Sequence, residues 1–349
     1  MSEVQRRFPR RRFLGTVAGG AGLAMAGLPS QAWAQGAGAL NVGLIRAPAA
    51  GVVELTDTKG WFKEGGVPFE GVLFAAASGP KIVQAMGGGS VHVGMVNSTA
   101  ALLAATSGGV PLRFISICTD PSRLFAVIGT PAVDSIPKLA GKKVACTAGT
   151  GLQYFLARVL AKHNMTIKDI EFVNLPAAEG QSAFVAGRVD AVVPSVNGRF
   201  YLLAHHKDAR EIFGYADFAK PPGSTTPFQN YDLFVTTEAT LKSHRAQLQG
   251  FLAAYHNKGV PFVNNPATRP EAIRIISDYV NKEQKNPTDA ATMTRFMDNS
   301  GFYDAKTVRQ LMTHADFRAN LDFQVKFFTE QGQLKGVPDL DKAIVTDLL

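Results

Sequence analysis

The chain has 349 residues, 46% hydrophobic and 18% charged, a balance that excludes an intrinsically disordered protein and supplies a sizeable core. Its formal net charge is +8, but Arg6, Arg7, Arg10, Arg11 and Arg12 outweigh Glu3 near the start, leaving about +4 for the rest. No Lys/Arg cluster with interleaved aromatics occurs, which excludes a nucleic-acid-binding surface, and Cys118 and Cys146 offer no metal or redox spacing.

In chain order, the first signal is Pro9-Arg10-Arg11-Arg12-Phe13-Leu14-Gly15, followed by a short glycine-rich apolar stretch and Gln31-Ala32-Trp33-Ala34-Gln35. Basic residues, a short apolar core and an Ala-x-Ala site compose a cleavable export signal over residues 1–34, with cleavage after Ala34. The Arg-Arg-x-Phe-Leu core is similar to twin-arginine signals, although Pro9 and Gly15 stand where Ser/Thr and Lys are usual. The apolar run falls short of the ~20 residues that span a bilayer. The predicted location is therefore the periplasm, with no stable membrane insertion.

From residue 39 to about 214, short apolar runs alternate with helical spacing. Strands are predicted over 39–45, 69–75, 91–96 and 112–117, with helices over 51–63, 80–86 and 98–106 between them. A second set has strands over 125–128, 144–146, 171–175 and 191–193 and helices over 152–163 and 178–186. After a Pro/Gly/Ser/Thr stretch at 220–227 comes one more strand, 232–236. Beyond it lie only helices, over 245–263, 269–280, 289–298, 306–314 and 320–330. The rhythm predicts parallel sheets with helices on both faces. The extended segments at 124–128 and 232–236 flank a βα unit of about one hundred residues. That pattern predicts an α/β protein with two lobes: 35–123 together with 232–349, and 124–231. Two crossing strands form a hinge, and the ligand cleft lies between the lobes. The cysteines fall in different lobes, so two buried free thiols are expected, a disulfide being the alternative.

Phe74-Ala-Ala-Ala-Ser-Gly79 followed by Ala85-Met-Gly-Gly-Gly-Ser-Val-His-Val-Gly94 resembles the extracytoplasmic solute-binding proteins of ABC importers, in the nitrate/sulfonate/taurine group related to thiamine-precursor binding proteins. Leu139-Ala-Gly-Lys-Lys-Val-Ala-Cys-Thr-Ala-Gly-Thr-Gly151 is similar to that family's strand-to-helix turn, and Phe184-Val-Ala-Gly-Arg-Val-Asp-Ala191 to its G-x-V-D-A segment. The resemblance covers most of residues 40–236. It implies the two-lobed periplasmic-binding-protein fold with two doubly wound sheets and a helical C-terminal tail, no cofactor, a membrane permease as partner and a monomeric state. One segment departs from the family pattern. Ser195-Val196-Asn197-Gly198 replaces a common Trp-Asp/Glu-Pro element, which weakens the transfer of sulfonate or nitrate specificity and leaves sulfonate, nitrate-like and carboxylate ligands all open. The cysteine-rich iron motif of the eukaryotic pyrimidine-synthase relatives is also missing from the sequence.

Ligands of parallel α/β lobes sit beyond the carboxyl ends of strands, where helix N-termini present free N–H groups. The candidate contacts are correspondingly at the turns. Arg46 can pair with a carboxylate or sulfonate, or serve as a structural arginine at a strand end. Ser78 caps a helix or meets the ligand. Asn97, Ser98 and Thr99 supply more small polar groups than a cap needs. Thr119 ends a strand beside the hinge. Gly149, Thr150 and Gly151 allow close backbone approach to an anionic group and add a hydroxyl. Asn197 is a further helix-opening candidate, its alternative an ordinary cap, and Asp232 on the return crossing can meet a ligand amine or end a loop. Phe125, Phe155 and Phe200 are candidate apolar lining, with core packing as the alternative. The Gly-x-Gly lacks the third glycine of a dinucleotide fingerprint, and no hydrolase, zinc-protease or phosphate-loop motif occurs. The expected function is capture of a small organic anion by hinge closure and its delivery to the permease. The alternatives are a periplasmic sensor partnering a membrane receptor and, behind it, a periplasmic enzyme.

Overall fold

The computed structural model describes residues 38–74, 79–107, 109–219, 228–282 and 288–349. Among the described residues, ten strands form two five-stranded sheets. The first contains β1 (Leu40–Ile45), β2 (Phe69–Phe74), β3 (Val93–Asn97), β4 (Leu112–Thr119) and β10 (Asp232–Thr237), in the order β2-β1-β3-β10-β4. The second contains β5 (Ala126–Gly129), β6 (Lys143–Cys146), β7 (Glu171–Asn174), β8 (Ala191–Val192) and β9 (Arg210–Gly214), in the order β7-β6-β8-β5-β9.

Each sheet is mixed where the sequence predicted a parallel one. β10 runs antiparallel to β3 and β4, and β5 runs antiparallel to β8 and β9. These two are the strands by which the chain enters each lobe from the other, and each is inserted one position in from the edge of its sheet, against the direction of its neighbours. A sequence cannot show this, because a fully buried strand has the same apolar run in either direction. β9 was absent from the predicted strands because its five residues bury only Phe213 and Gly214. The lobes described here are the bodies built on these two sheets.

In β1, Leu40, Val42 and Leu44 are buried on one face, as the period of two requires. Gly43 and Gly94 let the helix Gly79–Gly87 settle directly on the sheet, since a Cβ at Gly94 would fall 2.7 Å from both Ile82 and Met86. The predicted helix at 51–63 is two helices, Pro48–Thr58 and Trp61–Glu64, interrupted at Gly60, whose φ of 76° is left-handed. Pro48 at its first turn starts the first of them. The predicted helix at 245–263 is continuous but underwound in its middle, where Tyr255–Gly259 form a π turn between Arg245–Ala254 and Val260–Asn264.

The C-terminal helix Ala315–Glu330 belongs to two cores at once. Phe317 and Leu321 join the cluster around Phe114 and Leu233 in the first lobe. Phe327 and Phe328 join that around Phe155 and Val144 in the second.

Candidate functional site

Three strand ends meet at one cavity. Ile45 closes β1, Asn97 closes β3, and β6 leads through Thr147 to Gly151, the first residue of the helix Gly151–Lys162. Ile45, Asn97 and Gly151 all line the same space, the position where ligands gather in α/β sheets. Because β10 runs against β3, Asp232 pairs in register with Asn97 and borders the cavity too. The volume is about 1000 Å3, suited to a small organic molecule.

The second lobe supplies one wall, the turn Ala148-Gly149-Thr150-Gly151. Gly149 adopts φ 68°, which favours glycine. Gly151 has no room for a side chain, because Asn230 and Asn97 lie directly against it. The two glycines therefore have separate reasons, a left-handed turn and a close approach across the cleft. Much of the turn's donor capacity is spent internally. Ala148 N–H donates to Asn174 Oδ1 at 3.0 Å, Gly149 N–H to Gln153 Oε1 at 2.7 Å, and the Thr150 hydroxyl to the Thr147 carbonyl at 2.7 Å.

The other wall comes from the helices Gly79–Gly87 and Ser98–Ser107 and from strand ends, and is mostly apolar, with Val83, Met95, Val96 and Leu103 facing the space. Asn97 is engaged: its Nδ2 donates to Asp232 Oδ1 at 3.3 Å, and its Oδ1 accepts from Thr99 N–H at 3.2 Å. Burial pushes the Asp232 carboxyl up to about 6. The Asn97 hydrogen bond offsets part of that rise, and Asp120 adds to it.

Of the residues singled out in the sequence, the structure gathers Asn97, Gly149, Thr150, Gly151 and Asp232 around this cavity. Ser98 and Thr99 are buried behind the wall, their hydroxyls donating to Asn230 Oδ1 at 2.9 Å and to Gln324 Oε1 at 2.6 Å. Thr119 donates to the Gly301 carbonyl at 3.1 Å from a buried position. Arg46 turns toward Tyr279, donating to its carbonyl at 3.1 Å. Ser78 lies outside the described residues, as does the side chain of Asn197, the second residue of the helix Val196–His205. Phe125 and Phe155 pack on one another in the core of the second lobe, and Phe200 packs against that of the first.

Asn230 escaped the sequence reading. It is fully buried, its N–H donates to the Ser122 hydroxyl at 3.1 Å, and its Nδ2 has no hydrogen-bond partner among the described residues. The only signal was a polar pair, Gln229-Asn230, just before an apolar strand. Ser116 and His256 lie 2.6 Å apart, a hydroxyl–imidazole contact of the kind a hydrolase uses. Both are fully buried and neither borders the cavity, and burial pushes the imidazole down to about 4. Cys118 and Cys146 are buried free thiols in different sheets, and burial raises both well above the ordinary thiol range. Among the described residues no cluster of three or more His, Cys, Asp or Glu could hold a metal ion, and no helix is long and apolar enough to cross a membrane.

The model of the family described as "NMT1/THI5 like" matches residues 52–268, a span that includes every lining residue of the cavity named above except Ile45. The chain belongs to this family. No curated protein sequence matches it. Among solved structures, this family member is similar to the periplasmic aliphatic sulphonate binding protein SsuA from Escherichia coli. The identity is 17% and the TM-score 0.71, over 89% of this chain and 92% of that one. It is also similar to the periplasmic nitrate-binding protein NrtA from Synechocystis PCC 6803, at 13% identity and TM-score 0.61, over 89% and 86% of the two chains. The desulfurization enzyme DSZB shares the fold as well, at 13% identity and TM-score 0.60, over 89% and 97%. The architecture is thus that of the two-lobed periplasmic binding proteins, and it also serves an enzyme.

Proposed function

We propose that this protein is the exported substrate-binding component of an ABC importer, which captures a small organic solute between its lobes and delivers it to a membrane permease. The observation that carries the reading is the cavity itself. It lies between the Ala148–Gly151 turn on one sheet and the ends of β1, β3 and β10 on the other. Contacts from both sheets to one ligand favour the closed arrangement over the open one, and such differential contact is what a hinge-closing carrier needs.

Residues 1–34, with Arg10-Arg11-Arg12-Phe13-Leu14, direct export by the twin-arginine route in this reading, with cleavage after Ala34. The Arg46–Tyr279 and Ser116–His256 pairings lie away from the cavity, and among the described residues no nucleophile paired with a base borders it. That arrangement supports binding without turnover. The organic anion expected from the sequence drew on Arg46, on the helix N-termini near Ser78 and Ser98/Thr99, and on the Thr147–Gly151 turn. Several of that turn's donors are already satisfied, so the geometry favours a solute of largely apolar body over a strong anion.

Thermal unfolding against a panel of amines, carboxylates, sulfonates and nitrate tests this directly. A saturable rise in melting temperature with one chemical class is expected, because only native-state binding stabilises in that manner. If no member of the panel raises it and native mass spectrometry shows the protein empty as purified, the carrier reading fails.

A further inference from the structure

The electrostatic character of the cavity is set by one side chain. Asp232 is the sole ionisable residue among the described residues of its wall. It stands where β10 begins, opposite Asn97 of β3 and Thr119 of β4. One hydrogen bond reaches its Oδ1, the 3.3 Å contact from Asn97 Nδ2. That amide is shared with the Tyr231 carbonyl at 3.4 Å. The titratable groups facing Asp232 are Asp120 and Cys118, at and just beyond the end of β4, and Tyr255 of the π turn. Each of them is negative when ionised, so none offsets the carboxylate. Across the cleft the Ala148 and Gly149 amides and the Thr150 hydroxyl are already spent on Asn174, Gln153 and Thr147. The remaining lining is apolar over Ile45, Val83, Met95, Val96 and Leu103.

A partly dry carboxylate holding one long hydrogen bond is best stabilised by a cation, and least by a second negative charge. We infer that the solute is an organic amine, protonated at its nitrogen and carried on a compact apolar body, and that Asp232 is the residue that selects it. The inference rests on the carrier reading above and specifies the ligand of that same cavity. The amine nitrogen sits at Asp232 and the hydrocarbon lies along Val83, Met95 and Leu103. Sulfonates, nitrate and carboxylates meet the Asp232 charge with no cation to relieve it. Because the free carboxyl titrates near 6, amine affinity rises as pH climbs through that value and anion affinity falls.

The test is calorimetric binding of matched compounds sharing one body: benzylamine, benzoate and benzenesulfonate, and hexylamine, hexanoate and hexanesulfonate. Each is measured at about pH 5 and about pH 7.5, with the unmodified protein and with Asp232→Asn. At the higher pH an amine should bind at least about tenfold more tightly than the carboxylate of the same body. Its affinity should weaken by roughly tenfold at the lower pH, where the carboxyl is largely protonated. Asp232→Asn should abolish both effects while remaining folded. The pH profile of the unmodified protein gives the same answer even if that variant is unstable. Saturable binding of the sulfonates or carboxylates without the amines overturns this inference and leaves the carrier reading standing. Binding by none of the six overturns it as well, and a protein that is also empty as purified removes the carrier reading with it.

Discussion

Asp232 accepts one hydrogen bond from Asn97, and burial holds its carboxyl near 6 against an ordinary value of 3.8. The native state therefore keeps a proton that the unfolded chain has already released. Stability from this group is fully present below pH ~4 and is lost as pH rises through about 6. The loss amounts to about 1–3 kcal/mol once solvent access from the cavity is allowed for. Asp232→Asn should accordingly raise the melting temperature of the ligand-free protein above pH 6, by several degrees, and leave it unchanged near pH 4. Equal melting temperatures for the two proteins at both pH values would show that the carboxylate is not strained by its site. At this scale the sequence disclosed positions better than partners. The Thr147–Gly151 turn was legible because glycines mark left-handed turns and close approaches. That its Ala148 and Gly149 amides are satisfied by Asn174 and Gln153 was not, since those residues are distant or face the turn only once the helix has formed. Asn230 was marked only by the polar pair it forms with Gln229, and its importance comes from being buried against Gly151.

Among the elements, the helix Ala315–Glu330 has the widest reach. Thr99 of the first lobe donates to Gln324 Oε1 at 2.6 Å, and Gln324 Nε2 donates to the Asn320 carbonyl at 3.3 Å. Asn320 Oδ1 in turn accepts from the Tyr154 hydroxyl at 2.6 Å, from Arg158 at 2.7 Å and from Gln229 N–H at 3.1 Å. One helix face thereby ties Ser98–Ser107 to Gly151–Lys162, besides the two strand crossings. Replacing the buried Asn320 with Leu removes the shared acceptor for these three donors and should cost about 2–4 kcal/mol. The urea midpoint should fall with the slope unchanged, and amides of Ala315–Glu330 should exchange sooner than those of β1 or β3. An unchanged midpoint would mean that the network adds nothing to the apolar packing of Phe317 and Phe328. The sequence revealed the helix through its spacing of apolar residues. Its membership in two cores was hidden, because periodicity gives an apolar face and not what that face meets. The π turn at Tyr255–Gly259 was hidden because Tyr255, His256 and Gly259 are all buried there, and a segment buried on more than one face shows no phase shift in its apolar spacing.

At the level of the whole molecule, the repeated βα units made two α/β bodies legible, and the ordered motifs from Phe74 to Ala191 pointed to the family that the chain belongs to. The direction of the two crossing strands was not legible. It determines which residue of the return strand reaches the cavity. Because β10 arrives antiparallel, its first residue, Asp232, lies beside the carboxyl end of β3, and the one carboxylate among the described residues of the wall is delivered there by topology. The central claim is capture by closure of the two lobes, and the most direct measurement is small-angle scattering with and without a saturating ligand found in the thermal panel. The account predicts a smaller radius of gyration on binding, with the change absent when Ala100→Trp fills the cavity from the helix Ser98–Ser107. Tight binding with no change in the radius of gyration would contradict it and would make the cavity a rigid site in which the hinge takes no part.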